Sequence, residues 1–364
     1  ANLDGDTNPA TTPGPDTDGD GLPNYLDADD DDDLIPTAAE LADTNGDGDP
    51  RDAVDTDRDG VPDYLDAPTG RMAGQSVSEQ KVSSADGGKA VTLDPADGFG
   101  AAVAPAGDVD GDGVADLVVG APGDDDGGTD RGAAYLLFLN ATGTVRSEVK
   151  LSALTAALAG RFDDGDRFGS AVGCAGDLNG DGVADLLVGA PGDDDGGTDR
   201  GAVHVLFMHR DGTVASVAKV SATAGGFTGP LANGDGFGSA VTGLGDVDGD
   251  GVGDVAVGAP GADGDGTDRG AVFVLRLTGA GAVAGEQKIA ASVGGLGAVL
   301  ADDDRFGTAV TGLGDLDGDG FADLAVGVPG SDEGGADRGS LWVLHLGKTG
   351  AALAAQQLSD STGG

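Results

Sequence analysis

The chain is predicted to be all-β, a β-propeller-like array of four 69-residue, four-stranded units, and three observations carry that reading. Phe99-Gly100, Phe168-Gly169, Phe237-Gly238 and Phe306-Gly307 recur at a fixed step of 69 residues. Each pair is followed by the same parts in the same order. These are an acidic loop (DVDGDGVAD, DLNGDGVAD, DVDGDGVGD, DLDGDGFAD), an apolar run ending in GAPG or GVPG, an Asp-Arg-Gly, and a second apolar run. Within a unit, short apolar stretches alternate with Gly/Asp turns, and no convincing helical periodicity competes with them. A long, strict period without insertions means that one supersecondary unit is stacked or arranged around an axis.

In the first unit the strands are expected around 100–105, at 117–121, at Ala133–Leu139 and near 148–151. Val, Leu and Ala dominate the middle two, as suits strands buried on both faces between neighbouring sheets. Radial repetition of such units limits exposed strand edges. The fourth strand is marked by Lys81, Lys150, Lys219, Lys288 and Gln357, again 69 apart, so five copies of it stand against four of the others. The surplus copy, near 77–83, is expected to close the ring or to pair with the edge of a neighbouring molecule. The second outcome would link subunits head to tail, as a homo-oligomer or filament built by strand exchange.

Acidic residues number 65 against 19 basic ones, a formal charge of -46. Such a charge opposes compaction and repels nucleic acid and anionic membranes, so cations are the expected partners. No apolar run approaches the length of a membrane span. The chain opens with Ala1 and shows no signal peptide, as expected of a processed product or a segment of a larger protein. A lone Cys174 excludes an internal disulfide and a Cys-based zinc cluster; a small, buried position is its bland reading. The repeats divide the chain into 1–70 and 71–364.

The acidic loops point to a metal. In the first, Asp108, Asp110 and Asp112 stand at positions one, three and five. Gly113 permits the sharp turn at six, Val114 can offer its carbonyl at seven, and Asp116 is at nine. Alternate carboxylates on a turning backbone converge on one point, and calcium takes six to eight oxygens at about 2.3 to 2.6 Å. The equivalent sets are Asp177, Asn179, Asp181, Val183 and Asp185; Asp246, Asp248, Asp250, Val252 and Asp254; and Asp315, Asp317, Asp319, Phe321 and Asp323. The bland alternative is an Asx-rich turn without an ion.

A second acidic stretch, Asp124-Asp125-Asp126 with Asp130-Arg131, recurs through Asp332, Asp337 and Arg338. It could hold another cation or contact a ligand; otherwise Arg131, Arg200, Arg269 and Arg338 pair with nearby carboxylates to fix the loop.

In the N-terminal part, Asp16, Asp18, Asp20, Leu22, Asn24 and Asp27 follow the offsets of a twelve-residue calcium loop, and Asp55, Asp57, Asp59, Val61, Asp63 and Asp66 repeat them. A Pro at position eight and the lack of flanking helices argue against a helix-loop-helix site. Asp29, Asp31, Asp33 and Glu40 form a degenerate copy, and Asp43, Asn45 and Asp47 begin another, giving two to four ions in this part. The alternative is an acidic disordered linker.

On these motifs, residues 76–360 resemble the FG-GAP repeats of the integrin alpha-subunit propeller, which implies calcium in the four loops. Integrin-type rings have seven blades and this chain shows four, which bears on closure of the ring. The N-terminal segments resemble thrombospondin type 3 repeats, which implies a calcium-stiffened stalk with little apolar core.

Three function classes follow. The first is an extracellular, calcium-binding structural or adhesive protein, such as a self-assembling surface fibre or matrix subunit. The second is an integrin-like ligand-binding module of a larger surface adhesin, recognising a protein or a glycan; close identity between copies counts against one specialised pocket. The third, an enzyme, has least support, because His204, His209 and His345 occupy non-equivalent places where isolated, satisfied histidines are the expected reading.

Overall fold

A computed structural model of the chain describes residues 81–83 and 93–360, except 265, 298 and 299. It bears out the all-β reading with four antiparallel sheets of four strands each. Sheet 1 holds β1 (Ala102–Gly107), β2 (Asp116–Ala121), β3 (Ala133–Leu139) and β4 (Val145–Ser152). Sheet 2 holds β5 (Ala171–Gly176), β6 (Asp185–Ala190), β7 (Ala202–Met208) and β8 (Val214–Ser221). Sheet 3 holds β9 (Ala240–Gly245), β10 (Asp254–Ala259), β11 (Ala271–Leu277) and β12 (Val283–Ile289). Sheet 4 holds β13 (Ala309–Gly314), β14 (Asp323–Val328), β15 (Ser340–Leu346) and β16 (Ala352–Leu358). In each sheet the strands lie side by side in chain order.

Two of the expected boundaries move, for local reasons. The first strand starts at Ala102 because Phe99-Gly100 sits in a turn: Gly100 has φ +93° and the Ala101 N–H bonds the Gly98 carbonyl at 2.9 Å. It ends in a bulge between Pro105 and Gly107 that turns the chain into the acidic loop. The fourth strand begins earlier, at Val145, because the Asn140–Thr144 turn closes a hairpin with β3 through two backbone bonds of 2.8 Å.

The middle strands are buried almost throughout, and the apolar cores lie between sheets rather than within one. Where two sheets are neighbours, the forward face of the first meets the backward face of the next. On sheet 2 the forward face presents Ala175, Leu178, Leu187, Val203, Val205 and Phe207 to Val241, Val255, Val257 and Phe273 of sheet 3.

A backbone seam joins neighbours at the same place each time. The N–H groups of Phe168, Phe237 and Phe306 bond the carbonyls of Arg131, Arg200 and Arg269 at 2.9 to 3.0 Å. Beside each bond the Phe-Gly backbone of one sheet rides over a glycine of the sheet before: a Cβ on Gly120, Gly189 or Gly258 would collide with the carbonyl oxygen of Gly169, Gly238 or Gly307.

Of the expected surplus strand, residues 77–80 lie outside the described residues and 81–83 take no strand conformation, while Val82 packs against the core of sheet 1 with Leu93 and Phe99. The N-terminal loops of residues 16–66 also lie outside the described residues. No described helix is long and apolar enough to cross a membrane.

Candidate metal centre

Each acidic loop links the first strand of a sheet to the second, and its turn is built by its own carboxylates. Asp108 Oδ1 accepts the N–H groups of Gly111 and Asp112 at 2.8 and 3.0 Å, and its Oδ2 accepts that of Gly113 at 3.0 Å. Asp110 Oδ1 accepts the Asp112 N–H at 3.2 Å, and Asp112 Oδ1 accepts the Val114 N–H at 2.9 Å. The pattern repeats with Asp177, Asn179 and Asp181 toward Gly182 and Val183. It returns with Asp246, Asp248 and Asp250 toward Gly251 and Val252, and with Asp315, Asp317 and Asp319 toward Gly320 and Phe321. Gly113, Gly182, Gly251 and Gly320 have φ between +81° and +93°, a region that a side chain at position six would strain.

Position nine differs from the rest. Asp116, Asp185, Asp254 and Asp323 are fully buried beneath their loops. Asp116 Oδ2 accepts the Val109 N–H at 3.1 Å and its Oδ1 accepts the Leu139 N–H at 3.0 Å, so one carboxylate pins the start of the loop to the end of the third strand. Asp185 does so with Leu178 and Met208, Asp254 with Val247 and Leu277, and Asp323 with Leu316 and Leu346. Burial pushes the Asp116, Asp185 and Asp254 carboxyls up, against the pull of the backbone donors, and Asp185 and Asp254 reach about 6; the loop carboxylates beside them push the same way. The exposed Asp246 is lowered by the N–H groups aimed at it, Gly251 foremost.

The carboxylates converge as a cation site requires. Ligand oxygens of Asp108, Asp110 and Asp116 lie within 4.8 Å of one another, as do those of Asp246, Asp248 and Asp250, and those of Asp315, Asp317 and Asp319. A carboxylate offers about four acceptor positions, so the backbone bonds orient these groups and leave lone pairs directed into the loop. All-oxygen donors on a flexible turn are the set that calcium takes. In the second loop Asn179 replaces one carboxylate, and its Nδ2 donates to Asp181 at 2.9 Å.

Each loop also has a basic side chain beside it that the repeat pattern does not reveal, since the neighbour differs from copy to copy. Arg146 pairs with Asp110 and reaches Asp112 at 3.2 Å. Arg210 bonds the Gly182 carbonyl at 2.8 Å, and Lys348 lowers Asp246 through its charge. His345 Nδ1 stands 3.1 Å from Asp323 Oδ2 and 3.7 Å from Asp317 Oδ2.

In the first two copies the second acidic stretch holds a cation supplied by the chain itself. Lys150 Nζ lies 2.6 Å from Asp124 and 2.9 Å from Asp126, and Lys219 Nζ lies 2.6 Å from Asp193 and 2.8 Å from Asp195. The Asp-Arg pairs sit elsewhere: Arg131 and Arg269 reach across the seam to Asp164 and Asp302 at 2.8 Å, Arg200 reaches the Asn233 amide oxygen at 3.1 Å, and Arg338 pairs with Asp360.

The reading of His204 as satisfied is corrected. It is fully buried between Phe162 and Phe168, neither ring nitrogen has a hydrogen-bond partner, and burial pushes it down to about 3. His209 lies in an exposed turn. Cys174 is partly buried, with its thiol 3.5 Å from the Ala106 carbonyl and raised by burial.

Comparison with known proteins agrees with this anatomy. The FG-GAP repeat model matches residues 99–137, 168–206, 237–275 and 306–344, the first three strands of each sheet. A phosphatidylinositol-glycan-specific phospholipase D of Bos taurus is 40% identical over 116 residues, 31% of this chain and 14% of that protein. Integrin alpha-IIb of Mus musculus is 37% identical over 154 residues, 41% of this chain and 14% of that protein. Integrin alpha-PS2 of Drosophila melanogaster is 36% identical over 118 residues, 31% of this chain and 8% of that protein. The chain thus matches a small part of each of these curated relatives. Four of its segments match the FG-GAP repeat model, one in each four-stranded sheet, and the chain is similar to part of an integrin alpha subunit.

Proposed function

We propose that the chain is a calcium-dependent structural or adhesive module that works outside the cell, where millimolar calcium keeps its loops loaded. The observation that carries this reading is the recurrence of one arrangement four times in register: a turn folded around the carboxylate of its first Asp, and a buried Asp beneath tying that turn to the sheet, with the carboxylates converging in three of the four loops. Calcium held by the four loops would neutralise part of the charge of -46 and fix each loop against its sheet. Residues 1–70, with their thrombospondin type 3-like spacing, would add a stalk stiffened by two to four further ions.

A second reading, an integrin-like module that binds a protein or glycan, draws on the residues that differ between copies. Arg146, Arg210, Lys348 and the His345 imidazole give each loop a different nitrogen-bearing neighbour, and so distinguish units whose sequences otherwise nearly coincide. Catalysis has no part in the proposal, because the three histidines stand apart: one in a closed core, one in an exposed turn and one on β15 beside an acidic loop.

Equilibrium dialysis against calcium tests the first reading. At least four ions per chain are expected at millimolar calcium, falling by about one when Asp246, Asp248 and Asp250 are all replaced by Asn. A wild-type chain that retains no calcium contradicts it.

A further inference from the structure

The lysine of the fourth strand keeps its place in sheet 3 but loses its carboxylates. Lys150 is held by Asp124 and Asp126, and Lys219 by Asp193 and Asp195, each at 2.6 to 2.9 Å. In sheet 3 the two acidic positions are Ala262 and Gly264, while the lysine remains as Lys288. Sheet 4 has Gln357 at the lysine's position, so sheet 3 alone joins the cation to the missing acids. The ammonium itself has not moved. The contact that the structure gives it is the Phe273 ring, 5.4 Å from Nζ to the ring centre, just as Lys150 Nζ stands 5.7 Å from the equivalent Tyr135 ring.

Where the carboxylates would be, sheet 3 has space. A cavity of about 270 Å³ opens there, and Gly264, one of the two substituted positions, lines it. Pro230, Leu231 and Ala232 give it an apolar wall, and Lys288, Asp235 and Asp263 supply its charges. It is larger than the roughly 150 Å³ that admits a benzene ring. The charge balance also leaves room for an anion. The foremost charges acting on Asp235 are Lys288, Asp263 and Arg200, two positive and one negative, so that with Asp235 itself they cancel. At the same place in sheet 2, three carboxylates, Asp166, Asp193 and Asp195, gather around the single Lys219. One more carboxylate in sheet 3 would therefore bring no greater excess of negative charge than sheet 2 already holds.

We infer that this cavity binds a small aliphatic carboxylate, its anionic end on Lys288 in place of the missing aspartates and its chain along Pro230, Leu231 and Ala232. A charge-assisted contact between carboxylate and ammonium is the one this chain makes twice with its own residues.

The probe is hexanoate, titrated into the full chain in millimolar calcium and followed by saturation-transfer NMR, with hexanol as the arm that lacks the charge. Hexanoate is expected to bind at one site, and hexanol at least tenfold more weakly. Lys288→Gln should weaken hexanoate at least tenfold. Ala262→Asp, which returns a carboxylate of the sister sheets, should do the same at an unchanged or higher melting temperature, so that the site is lost by filling and not by unfolding. Asp265 stands at the place of Gly127 and Gly196 and lies outside the described residues. Asp265→Gly should leave the affinity within threefold; a larger gain would mean that the chain's own carboxylate fills the cavity, and overturns the inference. A wild-type chain that takes up no hexanoate at about 10 mM, or a Lys288→Gln chain that binds it as the wild type does, overturns it as well. So does tighter binding of N-acetylglutamate amide than of hexanoate, because the source would then be a protein side chain rather than a small acid.

Discussion

Asp116 and its three counterparts do two jobs that must be separated. Each is a fully buried carboxylate that accepts a loop N–H and a strand N–H, whereas the carboxylates at positions one, three and five are mostly open to solvent. Replacing Asp254 by Ala leaves two buried donors without partners, at about 1 to 3 kcal/mol each. Asp254→Ala is therefore expected to lower the melting temperature with or without calcium, while Asp248→Ala lowers it only when calcium is present. Differential scanning calorimetry in calcium and in chelator separates the two. Arg146 competes with an ion for Asp110 and Asp112. Two unit charges about 4 Å apart interact by about 1 kcal/mol in water, so Arg146→Ala should tighten calcium at the first loop roughly fivefold in isothermal titration. His204 sets an acid limit. Its ordinary pKa of 6.5 falls to about 3 in the core, so its contribution to stability is complete above pH 6.5 and is lost progressively as pH falls toward 3. At pH 5 the loss is about 2 kcal/mol. Phe273 fills the same place in sheet 3, against Phe227 and Phe237. Thus His204→Phe should raise the melting temperature at pH 5 more than at pH 7.5.

At the scale of elements, what was legible in the sequence is what has a local cause. The third strand follows from an unbroken apolar run, and the loop turns follow from alternating Asp and Gly. The first strand was displaced by two residues because the Phe-Gly pair belongs to a turn and to the seam, not to the strand. The loop ligands could be read from spacing, but the anchoring role of position nine could not, because its second donor, Leu139, lies 23 residues further on. The ion pairs are as distant: Arg131 meets Asp164 of the next sheet over 33 residues, and within sheet 1 Lys150 meets Asp124 over 26. A repeat hides such pairs, since every candidate partner recurs at each copy. The Arg–Asp pairs, whose carboxylates are open to solvent, are individually weak. Disrupting Arg269–Asp302 by Asp302→Ala should therefore shift the melting temperature by no more than a degree or two, in contrast to Gly258→Ala a short way along the same seam.

For the whole molecule, the central claim is that cations make a chain with a charge of -46 rigid. The loops join the first two strands of every sheet, and their second residues, Val109, Leu178 and Val247, are buried between sheets. Ordering a loop therefore also sets an apolar contact of the array, so calcium acts on packing between sheets as well as on the turns themselves. A ligand that binds only the folded state stabilises it by about 2.7 kcal/mol at a hundredfold excess over its Kd. Four such sites would dominate the stability of the array. The most direct test is the thermal unfolding of the full chain in millimolar calcium and again after exhaustive chelation at the same ionic strength. The expected result is a fall in melting temperature of at least ten degrees on chelation, recovered when calcium is restored and not when sodium is raised instead. A melting curve that does not move on chelation would contradict the account.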